Sequence, residues 1–121
     1  DEDIFMYAEE VEFTYRAVHR THCTVVCVPD AHIYHLEGAS FEKARFNEWK
    51  FTTGMTGSVR CYAKCLGEEV ALKFLKLLRR SYRKFAIICT LLFYGEGREI
   101  YRRKYAIADK AVREFPAILK G

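Results

Sequence analysis

Two hydrophobic periods follow one another along this chain, and the switch between them divides it. From Glu9 to Thr21 the apolar residues Val11, Tyr15 and Val18 recur three or four positions apart, the spacing of one helix face. Glu9, Glu10 and Glu12 stand at the start of that segment, where carboxylates complement the helix dipole. The pattern predicts a helix over 9–21. Cys23-Thr24-Val25-Val26-Cys27-Val28 is short and β-rich, which predicts a buried strand. Pro29-Asp30 marks a turn. Residues 31–36 read as a second short extended segment, ending at Glu37-Gly38.

Beyond Ser40 the helical period takes over. A helix capped near Ser40 is expected from Lys43 to about Leu66, loosened at Gly54 and Gly57, with Gly67 as its stop. Glu68-Glu69 open a long amphipathic helix over 68–94. Its apolar side is Val70, Phe74, Leu77, Leu78, Phe85, Ile88 and Leu92, and its basic side runs from Lys73 to Lys84. Gly95-Glu96-Gly97 should break it, and a last helix over 98–114 should stop before Pro116. The fold class expected is therefore an α/β fragment, a short front carrying part of a sheet followed by a mainly α-helical tail. Two short strands are not a stable sheet by themselves, so that front needs further strands from outside this sequence.

At 121 residues the chain is one domain or part of one. Half of its residues are hydrophobic, which excludes a disordered chain, and no apolar run is long enough to span a bilayer. Its longest apolar stretch is Phe85 to Tyr94. Five cysteines without disulfide-framework spacing point to a reducing, cytoplasmic setting. The net charge of +4 hides an asymmetry: residues 1–40 carry eight acids against two arginines, and residues 41–121 carry eighteen Lys and Arg against eight acids. The acidic part holds the candidate chemistry. The basic part is suited to anionic lipid, nucleic acid or a phosphorylated substrate.

The chemistry suggested by Glu9, Glu10 and Glu12 is proton abstraction. In glycosyl transfer from a nucleotide sugar, an acceptor hydroxyl attacks the anomeric carbon and a nearby carboxylate takes its proton. Crowded carboxylates raise one another's pKa, and Arg16 can hold one of them ionised.

At these residues the chain resembles a family. The string from Asp3 to Arg16, Asp-Ile-Phe-Met-Tyr-Ala-Glu-Glu-Val-Glu-Phe-Thr-Tyr-Arg, is similar to the acidic motif of family 2 glycosyltransferases, especially bacterial rhamnosyltransferase-like members. Val28-Pro29-Asp30-Ala31-His32-Ile33-Tyr34-His35, with Gly38 and Ser40, resembles the family's Val-Pro-x-Ala-x-hydrophobic-x-His stretch and its small-residue turn. The likeness covers residues 1–40 well and 41–66 loosely. It implies a GT-A-type enzyme, of which 1–40 would be the acceptor-side end and 41–121 a helical C-terminal extension. It implies Glu10 as catalytic base, Glu9, Glu12 and Arg16 as supporting residues, and His35 near the donor diphosphate or a metal. The chain departs from the pattern by placing Glu at both of the family's Asp positions, Glu10 and Glu12. The resemblance also implies a nucleotide-sugar donor, a glycan or lipid-linked acceptor, and a divalent cation, Mg²⁺ or Mn²⁺. That cation would be bound mainly by an N-terminal half that this sequence lacks, since Asp1-Glu2-Asp3 leads straight into the acidic motif.

A reading of a different class stands beside it, a non-catalytic helical module that dimerises or binds a membrane surface. The basic faces at 73–84 and at Arg98, Arg102, Arg103 and Lys104 read first as solvated helix faces. Contact with anionic lipid comes second, giving peripheral attachment to the inner face of the membrane. Nucleic acid is not an expected partner, because no basic loop interleaved with aromatics accompanies these faces. Cys23, Cys27, Cys61 and Cys65 pair at a spacing that does not suit zinc and read as small buried hydrophobes. His32 reads as structural. Tyr34, Phe41 and Trp49 are candidates for stacking on an acceptor sugar or for core packing.

Overall fold

The computed structural model describes residues 2–4, 7–32, 34 and 46–120. Among these residues five helices follow in order: α1 (Glu9–Thr21), α2 (Glu48–Leu66), α3 (Glu68–Leu91), α4 (Gly95–Arg113) and α5 (Phe115–Leu119). Among the described residues 76% are helical and no strand is present.

This corrects the expected α/β front. The segment after α1 is β-prone in composition, yet no described segment lies beside it to share a ladder. A strand exists only when its N–H and C=O groups find a neighbouring backbone. Val25, Val26 and Val28 are accordingly exposed instead of buried. His22 ends α1 with a left-handed backbone (φ 56°), and the Cys23 N–H donates back to the Ala17 carbonyl at 3.2 Å. The turn at Pro29-Asp30 is present, closed by the Ala31 N–H on the Val28 carbonyl at 3.1 Å. The extended segment expected at 31–36 falls largely outside the described residues, as do Ser40 and the expected helix start at Lys43.

Helix α2 begins at Asn47, whose side-chain oxygen accepts the Lys50 N–H at 2.9 Å, a strong N-cap. Its glycines do not loosen it. Gly57 is buried, and the Tyr7 ring sits where a Gly54 side chain would begin, 3.1 Å from an added Cβ. Gly67 alone joins α2 to α3, at φ 95° and ψ 156°, a backbone region reserved for glycine. The reversal packs the two helices antiparallel, with Phe51 against Tyr82 and Tyr62 against Phe74.

Helix α3 stops three residues earlier than its periodicity suggests. The Phe93 N–H donates to the Thr90 carbonyl at 3.2 Å, and the Tyr94 N–H donates to the Cys89 carbonyl at 2.9 Å. This is a Schellman ending, which needs a left-handed residue. Phe93 takes that conformation, at φ 54°. Gly95, Glu96 and Gly97 then form the first turn of α4 instead of a break. Gly97 is buried, and a methyl group there would overlap the Tyr94 ring and press on Cys89 Sγ. Helix α4 ends at Arg113, ahead of Pro116 as expected, but Pro116 does not end the helical chain. It lies in the first turn of α5, where its missing N–H costs nothing.

The core is formed by Met55 and Val59 of α2, Ala71 and Leu75 of α3, Ala108 and Ala111 of α4, and Phe115 of α5. The Lys104 ammonium lies 5.3–5.7 Å from the ring centres of Tyr101, Phe51 and Phe46 and 6.0 Å from that of Tyr82, clamping α4 onto α2 and α3. A second, smaller cluster of Ile4, Ala8 and Cys61 seats α1 on α2. Arg60 ties both chain ends to this body, donating to the Ile118 carbonyl and to the Asp3 carbonyl, each at 2.8 Å. No described helix is long and apolar enough to cross a membrane.

Candidate functional site

The three glutamates of the acidic motif occupy the first turn of α1, which begins at Glu9 as its sequence suggests. Their environments differ sharply. Glu9 folds back on the chain, and one of its carboxylate oxygens accepts the Ala8 N–H at 2.9 Å. Glu12 is only 4% exposed and is gripped by a fork from Arg16, Nε to Oε1 at 3.0 Å and Nη2 to Oε2 at 3.2 Å. The Arg16 hydrogen bonds hold the Glu12 carboxyl below the usual glutamate range, against the opposing pull of burial, and Glu12 in turn raises Arg16. Glu10 is exposed and carries no ion pair among the described residues.

Helix geometry explains the division. Residues 8, 12 and 16 lie along the side of α1 that meets α2, and Glu10 lies about 160° around the helix from Glu12. The periodicity of Val11, Tyr15 and Val18 therefore misidentifies the buried side. Val11 and Val18 are exposed, and the inward positions are Ala8 and Glu12. A buried glutamate breaks the apolar stripe that sequence reading relies on. Its Arg four residues later was the available clue.

Between α1 and α2 lies a cleft of about 220 Å³ lined by Glu12, Tyr15, Arg16, Arg20, Lys64 and Cys65. Arg20 and Lys64 were not singled out in the sequence, and they bring two further cations beside the Glu12–Arg16 pair. Lys64 also bridges to Asp3 at 2.7 Å, which lowers the Asp3 pKa. Glu10 does not line this cleft. On its other side an apolar groove of about 210 Å³ runs past Tyr7, Val11, Tyr15 and Tyr62.

His35, Ile33 and Phe41 lie outside the described residues. His32 and Tyr34 are exposed, as is Trp49, so none of the three packs in the core. Of the four cysteines expected to be buried, Cys61 is buried and Cys65 half-buried, but Cys23 and Cys27 are exposed because their segment is not a buried strand; Cys89 is buried as well. Burial, with Cys65 alongside, pushes the Cys61 thiol up to about 11. Among the described residues no three His, Cys, Asp or Glu side chains converge as a ligand set. With Glu12 committed to Arg16, these residues do not themselves build a divalent-cation site.

Comparison of the chain with protein-family models, curated proteins and solved structures gives no match.

Proposed function

We infer that this chain supplies the acceptor-side carboxylates of an inverting glycosyltransferase, acting on a nucleotide-diphosphate sugar and a glycan or lipid-linked acceptor. The observation that carries the reading is the division of labour among three neighbouring glutamates. Glu9 is spent on the backbone and Glu12 on Arg16, while Glu10 is left exposed and uncommitted. The same residue is the base implied by the resemblance of residues 1–40 to family 2 glycosyltransferases.

In the proposed step the acceptor hydroxyl oxygen forms a bond to the anomeric carbon. Its proton passes to the Glu10 carboxylate, and the bond from the anomeric carbon to the diphosphate breaks with its electron pair leaving on the diphosphate. The Glu12–Arg16 pair fixes the turn that presents Glu10. When bound by the donor-binding part of the enzyme, a divalent cation supplies charge neutralisation at the diphosphate.

The test is Glu10→Gln in the whole protein, with transfer and donor binding measured separately. Loss of a general base should lower turnover by about 10²–10⁴-fold while donor affinity stays unchanged. Transfer within a few-fold of the unaltered enzyme would remove Glu10 from the base role.

A further inference from the structure

We propose that the hairpin joining α3 to α4 is a docking element for an anionic bilayer surface. Three observations converge on it, and none depends on glycosyl transfer.

The first is the tip. Leu91 and Leu92 are each 71% exposed and Phe93 is 96% exposed, with Tyr94 more than half exposed beside them. Four consecutive large apolar residues at a turn are costly to leave in water. An aromatic-rich tip of this kind suits the bilayer interface, where an apolar body is buried and a polar handle stays wet.

The second is backbone strain. Phe93 sits in the left-handed position of the Schellman ending, at φ 54°, where glycine is the ordinary choice. A bulky side chain there is unfavourable, and its ring recovers nothing by packing within the chain. Strain held at an exposed aromatic points to a use for the side chain.

The third is charge. A shallow groove between α3 and α4 is lined by Arg83, Arg98 and Arg102 over a floor that includes Ala86 and Ile87. Several other cations of these helices are engaged, Arg79 and Arg113 with Asp109, Arg103 with Glu99 and Lys73 with Glu69, while Lys76, Arg80, Lys84 and Lys110 add further charge with no ion pair among the described residues. The three groove arginines carry no ion pair among the described residues. Arg83 and Ile87 lie one turn apart on α3, and Leu91 continues the same stripe to the tip. Guanidinium groups are thus set behind an apolar point, with Glu96 and Glu99 as the acids of the first α4 turns.

Charge complementarity selects the occupant. A second copy seated groove on groove about a two-fold axis would set these arginines against one another. A nucleic acid would satisfy the arginines but offers no apolar layer for Leu91, Leu92 and Phe93 together. An anionic bilayer offers phosphates and an apolar layer at adjoining depths.

The experiment is flotation of the full chain with phosphatidylcholine vesicles, with and without phosphatidylglycerol, at low and high salt. The chain should float with the anionic vesicles only, and less so as salt screens the attraction. R83Q/R98Q/R102Q should weaken binding on the order of a hundredfold, about fivefold for each charge removed. Phe93→Gly should weaken binding while raising the thermal midpoint, so its loss of binding is separable from unfolding. The proposal is overturned by equal binding to neutral vesicles, by absence of binding at low salt, or by indifference to both variants. It is equally overturned if Phe93→Gly dissolves a dimer that shows no vesicle binding, or if duplex DNA binds and the tip variant leaves that binding intact.

Discussion

Gly67 and Phe93, two of the four described residues with a positive φ, sit at opposite ends of α3. At Gly67 the backbone adopts φ 95° and ψ 156°, and nothing lies within 4 Å of an added Cβ. Any penalty for a side chain there is therefore conformational. Gly67→Ala should lower stability by about 1–3 kcal/mol, measured by urea unfolding, with no change in the number of reactive thiols. Phe93 is the converse case, a bulky residue where glycine fits. Phe93→Gly should stabilise the chain by about 1 kcal/mol, seen as a higher thermal midpoint. A lower midpoint would mean that the Phe93 ring packs on the chain and is not merely displayed. Gly67 was legible in the sequence as a stop. Phe93 was not, because no propensity rule marks an aromatic as a left-handed residue.

At the scale of elements, α1 shows how a helix can be located correctly and oriented wrongly. Its span follows from acidic residues at its start and an apolar spacing behind them. Its packed side follows from Glu12 and Arg16, which a hydrophobic pattern does not register. The pair makes the seating of α1 on α2 dependent on pH. Glu12 has its folded pKa below its ordinary value of 4.5, chiefly through the Arg16 hydrogen bonds, so its contribution is fully present above that value. It is lost as pH falls through the lowered folded pKa. Arg16→Gln should lower stability near neutrality, and by progressively less as pH falls below 4.5 and through the lowered folded pKa of Glu12. Asp3–Lys64 and Glu69–Lys73 shift in the same direction, so the comparison must be between Arg16→Gln and the unaltered chain at each pH. A cost independent of pH would assign the effect to lost packing of the Arg16 stem. The boundary between α3 and α4 was misplaced for a different reason. Gly95 and Gly97 read as breakers, yet Gly97 is used for close approach to Cys89 and Tyr94, and the break falls at Leu92–Tyr94.

The whole molecule divides its five cysteines by depth, and this gives a direct check on the fold. Cys61 and Cys89 are buried and Cys65 is half-buried, whereas Cys23 and Cys27 are exposed. Burial keeps the Cys61 thiol protonated at neutral pH, with its pKa pushed up to about 11. Brief alkylation under native conditions, read by mass spectrometry, should label Cys23 and Cys27 first and Cys61 last. Protection of Cys23 and Cys27 in the isolated chain would mean that the segment after α1 is covered. The sequence by itself determined α1 to α4, their approximate ends and the acidic turn at Glu9, but not α5, because helical spacing, caps and glycine stops act over a few residues. The candidate site was half legible: Glu9, Glu10, Glu12 and Arg16 are neighbours along the chain, but which carboxylate stays free depends on what α2 covers. The tertiary structure alone decided that the Val25–Val28 stretch is not a strand, since a ladder needs a partner backbone that no local pattern supplies. It alone brought Lys64 to Glu12 and Arg16, and Arg98 and Arg102 to Arg83. Those groupings join positions far apart in sequence, and only the packing of α1 on α2 and of α4 on α3 sets their distances.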